Sequence, residues 1–195
     1  QFDSFTRRQI EMFEAASECL QEAFQHKILR HICNTAGIER YPGAQFDMVR
    51  LGIGLYGIDP FTNQIINNVS TLKTTILQIH EVPKEETVGY SRKGHLERDS
   101  RIAAIPIGYA DGLNRRLGNG HAYCLVNGQK ASYVGNICMD VCMIDVTDID
   151  CKEGDKAIIF GEDLPVTVLS EILETIPYEI LTSVSNRVKR VYYQN

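Results

Sequence analysis

The sequence predicts an α/β segment followed by a larger, mostly β domain. Three observations carry this. Residues 1 to about 58 alternate helical and strand patterns. From Asp59 onward, short alternating runs are separated by Gly and Asn turn signals. Only one stretch of that second part, "TVLSEILETI", repeats with a helical period. Helix and strand in alternation belong to parallel α/β layers, and many short strands to an antiparallel domain. The expected bounds are 1–58 and 59–195.

Taken in order, Ile10, Phe13, Leu20 and Phe24 recur at near-helical spacing, which predicts an amphipathic helix from about Thr6 to Gln25. "KILRHICN" is short and largely apolar and reads as a buried strand. "TAGIERYP" suits a short helix or loop closed by Pro42, and "FDMVRLGIGLYG" reads as a second buried strand running into glycines. "VSTLKTTILQIHEV" breaks and resumes a period of two. "RIAAIPIGYADG" is a strand ending in a glycine-bounded turn, and Asn127-Gly128 in "AYCLVNGQKASYVG" is a strong hairpin signal. "VCMIDVTDI" and "KAIIFG" continue the strands, and "TVLSEILETI" is a helix capped by Thr167 or the preceding turn.

Composition excludes several classes. The formal net charge is -5 and no run of Lys or Arg forms a basic stripe, so no nucleic-acid partner is expected. No apolar run approaches the roughly 20 residues of a membrane span. The six cysteines contain no C-x-x-C pair and do not form a secreted disulfide framework; reduced thiols in the cytoplasm are the expectation. The first residue is Gln1, not Met, and a longer protein upstream is expected.

Several short stretches concentrate chemistry. "ICMDVCMID" packs two Cys, two Met and two Asp into nine residues. On a strand, Cys138 and Cys142 would share a face. Two thiols alone do not close a four-ligand zinc site, and no His lies nearby, so no metal is expected. Strand packing, or a site that uses backbone or carboxylate groups, remains. Tyr109 in "IPIGYADG" and Tyr90 in "VGYSRKG" stand beside glycines that let backbone approach a ligand. A phenol titrates near pH 10, so as a base it needs a cationic or hydrogen-bonding neighbour. Arg50 ends a predicted buried strand beside Gly52 and Gly54, where it needs either a salt-bridge partner or an anionic ligand. Asn34-Thr35 lies between a strand and a helix-like turn, a placement that suits an anion.

In this order, "HICNTA", "FDMVRLGIGLYG", "VGYS", "IAAIPIGYADG", "VNGQKASYVGNICMDVCMIDVTD" and "YEILTSVSNRVKRVY" resemble the C-terminal half of an alanine racemase, over essentially the whole chain. That family uses pyridoxal 5'-phosphate (PLP). The resemblance implies the last strands of an incomplete (β/α)8 barrel followed by the family's C-terminal β domain. It implies that Tyr90 is the acid/base on the L-face of the substrate. Arg50 would bond the cofactor's pyridine nitrogen; an arginine does not give up its proton, so that nitrogen stays unprotonated. Asn34 and Thr35, with the amides of Gly52 and Ile53, would cradle the phosphate. The amide of Met139 would meet the substrate carboxylate, Asp140 would sit close to the acid/base tyrosine, and Tyr109 would line the entrance. Tyr90, Tyr109 and Met139 would serve a partner subunit, which implies a head-to-tail homodimer with shared sites.

Three departures stand out. The PLP-bearing lysine and the arginine that helps clamp the substrate carboxylate belong to the missing N-terminal barrel portion, so this chain alone is not expected to racemise. Asn186 in "SVSNRVKR" replaces an aromatic residue, commonly Tyr, over the cofactor phosphate. A shorter amide there opens space and adds a donor and an acceptor, which suits a substrate hydroxyl and favours serine over alanine. This is similar to the serine/alanine racemases of vancomycin resistance, which join a membrane domain to a racemase domain, so an upstream membrane anchor is an expectation of that resemblance. Asn136 stands where many members carry Arg. The implied activity supplies D-amino acids for cell-wall peptidoglycan. A non-catalytic β domain that dimerises, and a relative of the PLP-dependent decarboxylases, are the competing readings.

Overall fold

The structure, a computed structural model, describes residues 3–193. Contacts divide the chain into two compact units between Asn67 and Asn68.

The first unit opens with α1, Ser4–Ala23. Asp3 caps it: its carboxylate accepts from the Thr6 amide at 2.6 Å, which holds its pKa below the usual carboxylate range. Ile10 and Phe13 are half-buried and Ser17 is buried, but Leu20 and Phe24 stay exposed. Phe13 packs on Phe46 with ring centroids 5.3 Å apart. The two segments expected as buried strands are extended but do not form regular ladders. They meet at one parallel bridge, Asn34 with Arg50, supported by the Arg50 amide donating to the Cys33 carbonyl at 2.9 Å and the Asp47 amide to the Arg30 carbonyl at 3.1 Å. A parallel pair is weak unless neighbours flank and cover it, and among the described residues of this unit no further strand does. Between them lies α2, Thr35–Arg40.

The second unit is built on a seven-stranded sheet. Its strands are β1 Leu72–Thr75, β2 Gln78–Val82, β5 Ser100–Ile105, β6 Tyr123–Val126, β7 Gln129–Val134, β8 Cys142–Asp145 and β9 Lys156–Phe160. A separate short ribbon pairs β3 Thr87–Val88 with β4 Gly94–His95. Every pairing is antiparallel, in the order β1-β9-β6-β7-β8-β5-β2. β1 and β2 are consecutive in sequence yet occupy opposite edges, so the sheet must curl until those edges nearly meet. Ile76 and Leu77 make the turn: their amides donate to Asp155 on one side and Ala104 on the other, both at 2.9 Å. Ile76, Ile105, Val126, Tyr133, Ile144 and Ile159 fill the interior. The β6–β7 hairpin turns on Asn127 (φ 47°) and Gly128 (φ 76°), the left-handed pair its sequence predicts.

Two helices complete the unit. α3, Val166–Leu173, follows Pro165 without a side-chain cap; Thr167 lies inside it. α4, Pro177–Ser183, has too few residues to show a period and was not expected from the pattern. Leu169 and Leu173 are buried. No helix among the described residues is long and apolar enough to cross a membrane.

The thiols sort by this packing. Burial pushes Cys124 up to about 12 and Cys142 up as well, while Cys19 is exposed on α1. Thiolate is the reactive form. A thiol reagent at pH 8 should therefore label Cys19 at once and Cys124 and Cys142 only after denaturation, as peptide mapping of the labelled chain will show; native labelling of either buried thiol contradicts this core.

Candidate active site

In the first unit, a polar cluster gathers where the two extended segments meet. Arg50 is exposed, and among the described residues it pairs with no carboxylate. Its Nη1 donates to His31 Nδ1 at 2.7 Å and to the His31 carbonyl at 3.3 Å, and its Nη2 donates to the Ile32 carbonyl at 3.1 Å. A guanidinium only donates, so His31 Nδ1 must offer a lone pair and carry its proton on Nε2. The head group is thus held by neutral acceptors and keeps its charge for another group. Thr35 Oγ1 accepts from the amides of Gly52 at 2.9 Å and Gly54 at 3.4 Å. These bonds occupy the oxygen's lone pairs and leave its proton to be donated outward. Gly54 permits this approach, since a Cβ there would lie 2.8 Å from Thr35 Cγ2. Asn34 caps α2 through Gly37 at 3.0 Å, and Ile53 is buried behind the cluster. A hydroxyl reduced to donating and a fixed cation form a donor set that fits a phosphate and a ring nitrogen acceptor.

In the second unit, the other candidates lie on one rim. β5 and β8 are antiparallel, with Ile105 opposite Cys142, so the loop leaving β5 and the loop entering β8 are neighbours. The amides of Tyr109 and Ala110 donate to the carbonyls of Cys138 and Met139, both at 3.0 Å. Gly108 makes this possible: a Cβ at that position would stand 2.3 Å from both carbonyl oxygens. Cys138 itself lies in a turn, its amide bonded to the Val141 carbonyl at 3.0 Å, so it does not share a strand face with Cys142. Tyr109 is 44% exposed and Met139 53%. Tyr90, 75% exposed, follows the short strand β3 on a loop where Ser91 (φ 58°) and Arg92 (φ 53°) are left-handed. Non-glycine residues there are strained, a feature that accumulates at functional loops. Asn136 Nδ2 donates to the Tyr90 carbonyl at 3.4 Å, which gives that unusual residue a place in the loop.

Sequence reasoning missed three members. His31 orients Arg50, and only strand register could have paired them. Asp111 is buried and bonds Arg187 at 2.6 Å, and Asp140 bonds the same guanidinium. The two carboxylates hold Arg187 further above its already high value, Asp111 first. No local signal marks the pair: a turn aspartate is readily satisfied by backbone amides, and Asp111 also accepts from the Gly108 amide at 2.8 Å. Asn186 is exposed beside Arg187. Among the described residues no group of three or more His, Cys, Asp or Glu is placed to hold a metal ion.

The family model for the C-terminal domain of alanine racemase matches residues 69–192, and that for the N-terminal domain matches residues 1–60. The chain belongs to the alanine racemase family. Among curated relatives, the alanine racemase of Clostridium novyi is 40% identical over 98% of this chain and 52% of its own length. Alanine racemase 1 of Clostridium acetobutylicum is also 40% identical, over the same shares. The chain spans about half the length of the curated relatives it matches. Among solved structures, alanine racemase from Clostridium difficile 630 in complex with cycloserine superposes with a TM-score of 0.87 at 36% identity, covering 98% of this chain and 52% of that one. Alanine racemase from Bartonella henselae with covalently bound pyridoxal phosphate gives 0.82 at 34% identity, covering 98% and 53%. The first unit thus contains the N-terminal-domain match and the second the C-terminal-domain match.

The tight contact at Gly108 predicts a local stability result. Gly108→Ala must push apart the two loops and should destabilise by about 2–4 kcal/mol, seen as a lower urea midpoint with an unchanged m-value. An unchanged midpoint contradicts the close approach.

Proposed function

We propose that the chain is part of a PLP-dependent amino-acid racemase that interconverts L- and D-serine, L- and D-alanine, or both. The observation that carries the reading is the donor set around Thr35 and Arg50 in a chain that belongs to the alanine racemase family. Bound PLP supplies an electron sink for the negative charge that develops at the substrate α-carbon. The rest of the chemistry falls to this chain and to a lysine upstream of it. Thr35 donates its remaining proton to the phosphate, beside Asn34, Gly52 and Ile53. Arg50 would present to the ring nitrogen a proton that it cannot release.

The phenol of Tyr90 takes or returns the α-proton on the L-face, and the upstream lysine does so on the other face. Met139 offers its backbone amide to the substrate carboxylate, and Tyr109 lines the entrance. All three project from the surface of their unit, which supports their serving a partner subunit's site in a head-to-tail homodimer. Asn186 faces the substrate side chain, where its amide gives a serine hydroxyl a partner that a phenol would crowd. That supports a serine-tolerant enzyme like the racemases of vancomycin resistance, supplying D-amino acids to cell-wall peptidoglycan.

Two measurements on the full-length protein check this reading. Tyr90→Phe should cut release of the α-proton from the L-enantiomer by about 10²- to 10⁴-fold. L-to-D turnover at the wild-type rate removes Tyr90 from its role. Asn186→Tyr should lower the serine-to-alanine ratio of kcat/KM by about 10-fold, the worth of one neutral hydrogen bond. An unmoved ratio assigns the preference elsewhere.

A further inference from the structure

One side chain ties together the three loops that carry Tyr109, Met139 and Asn186. Arg187 Nε donates to Asp111 Oδ1 at 2.6 Å, and its Nη2 donates to Asp140 Oδ1. The two carboxylates belong to different loops. Asp111 is buried in the turn after β5, and its second oxygen accepts from the Gly108 amide at 2.8 Å. Asp140 directly follows Met139 and is exposed. The backbone beside the guanidinium closes the same triangle: the Ser185 amide donates to the Asp111 carbonyl at 3.0 Å. Gly112 packs against the Ser183 backbone, where a Cβ would lie 2.4 Å from the Ser183 carbonyl oxygen. Asn186 stands between Ser185 and Arg187, so its backbone is anchored on both sides.

The chemistry of the clamp is specific to arginine. A guanidinium is planar and presents parallel and diverging N–H groups in fixed relation, so it can grip two carboxylates at a set separation. An ammonium is a point charge on a flexible stem and has no such fork. Arg187 points its donors into the two loops, and it bears on substrate only through them.

We infer that Arg187 is a positioning residue for substrate recognition. By holding Asp111 and Asp140 together it fixes the Met139 amide and the Asn186 side chain relative to one another. What those two groups recognise rests on the racemase reading above; the clamp itself does not.

The test uses the full-length protein with PLP. In Arg187→Ala, KM for the amino acid should rise between about 10- and 100-fold, the cost of a small misplacement, while kcat falls by less. Millimolar guanidinium should bring that KM back toward wild type. Arg187→Lys keeps the charge and should fold, yet retain most of the KM defect. Hydrogen exchange gives a readout independent of activity: the Tyr109 and Ala110 amides should exchange faster in either variant, with β5 to β8 unchanged. A wild-type KM in Arg187→Lys overturns the inference, and this variant decides if Arg187→Ala does not fold. A defect in kcat alone, with KM unmoved, also overturns it. If the wild-type protein racemises nothing, the racemase reading fails. The exchange rates then decide the clamp: faster exchange at Tyr109 and Ala110 supports it, unchanged exchange refutes it.

Discussion

Two backbone hydrogen bonds, from Tyr109 and Ala110 to the carbonyls of Cys138 and Met139, are the contact on which the rim of the β domain depends. They follow from topology. β5 and β8 run antiparallel side by side, so the chain leaving one emerges next to the chain entering the other. That adjacency brings a tyrosine from one loop and a methionine from the other to the same edge. It also sets a steric condition, because only a glycine fits at position 108. The curled sheet behind them is rigid for ordinary reasons: a filled apolar interior and strands paired on both sides, apart from the edges that Ile76 and Leu77 join.

The two units contribute different kinds of chemistry. The first unit offers fixed donors, a guanidinium held by a histidine ring and two carbonyls and a hydroxyl whose lone pairs are occupied. Such groups bind and hold charge without moving it. The second unit offers a phenol on a strained loop and a backbone amide on an exposed turn, groups suited to touching and changing a substrate. Preorganised donors cost no rearrangement when a charged ligand arrives, which is how an exposed arginine acquires weight at such a site.

Much of this was legible in the sequence, for identifiable reasons. α1, the Asn127-Gly128 hairpin and the strands of the β domain announce themselves through period and turn chemistry. The ordered motifs around Arg50, Tyr90, Tyr109 and Met139 carried the family. What failed is what depends on neighbours distant in sequence. The segments 27–34 and 46–52 are apolar enough for strands, but a parallel ladder needs flanking partners that local pattern does not supply. Cys138 and Cys142 have strand spacing, yet the turn at 138–141 breaks the parity argument. Arg187 and Asp111 lie 76 residues apart, and no spacing rule joins them. Only the fold brings the buried acid and the arginine together.

The most direct test of the account follows the α-proton. The full-length protein with PLP is given L-serine and L-alanine in D2O, and deuterium at the α-carbon is measured together with the D-enantiomers and carbon dioxide. The account predicts α-deuteration and D-enantiomer formation from at least one of the two substrates, with no carbon dioxide released. Carbon dioxide release, or an α-proton that never exchanges, contradicts it.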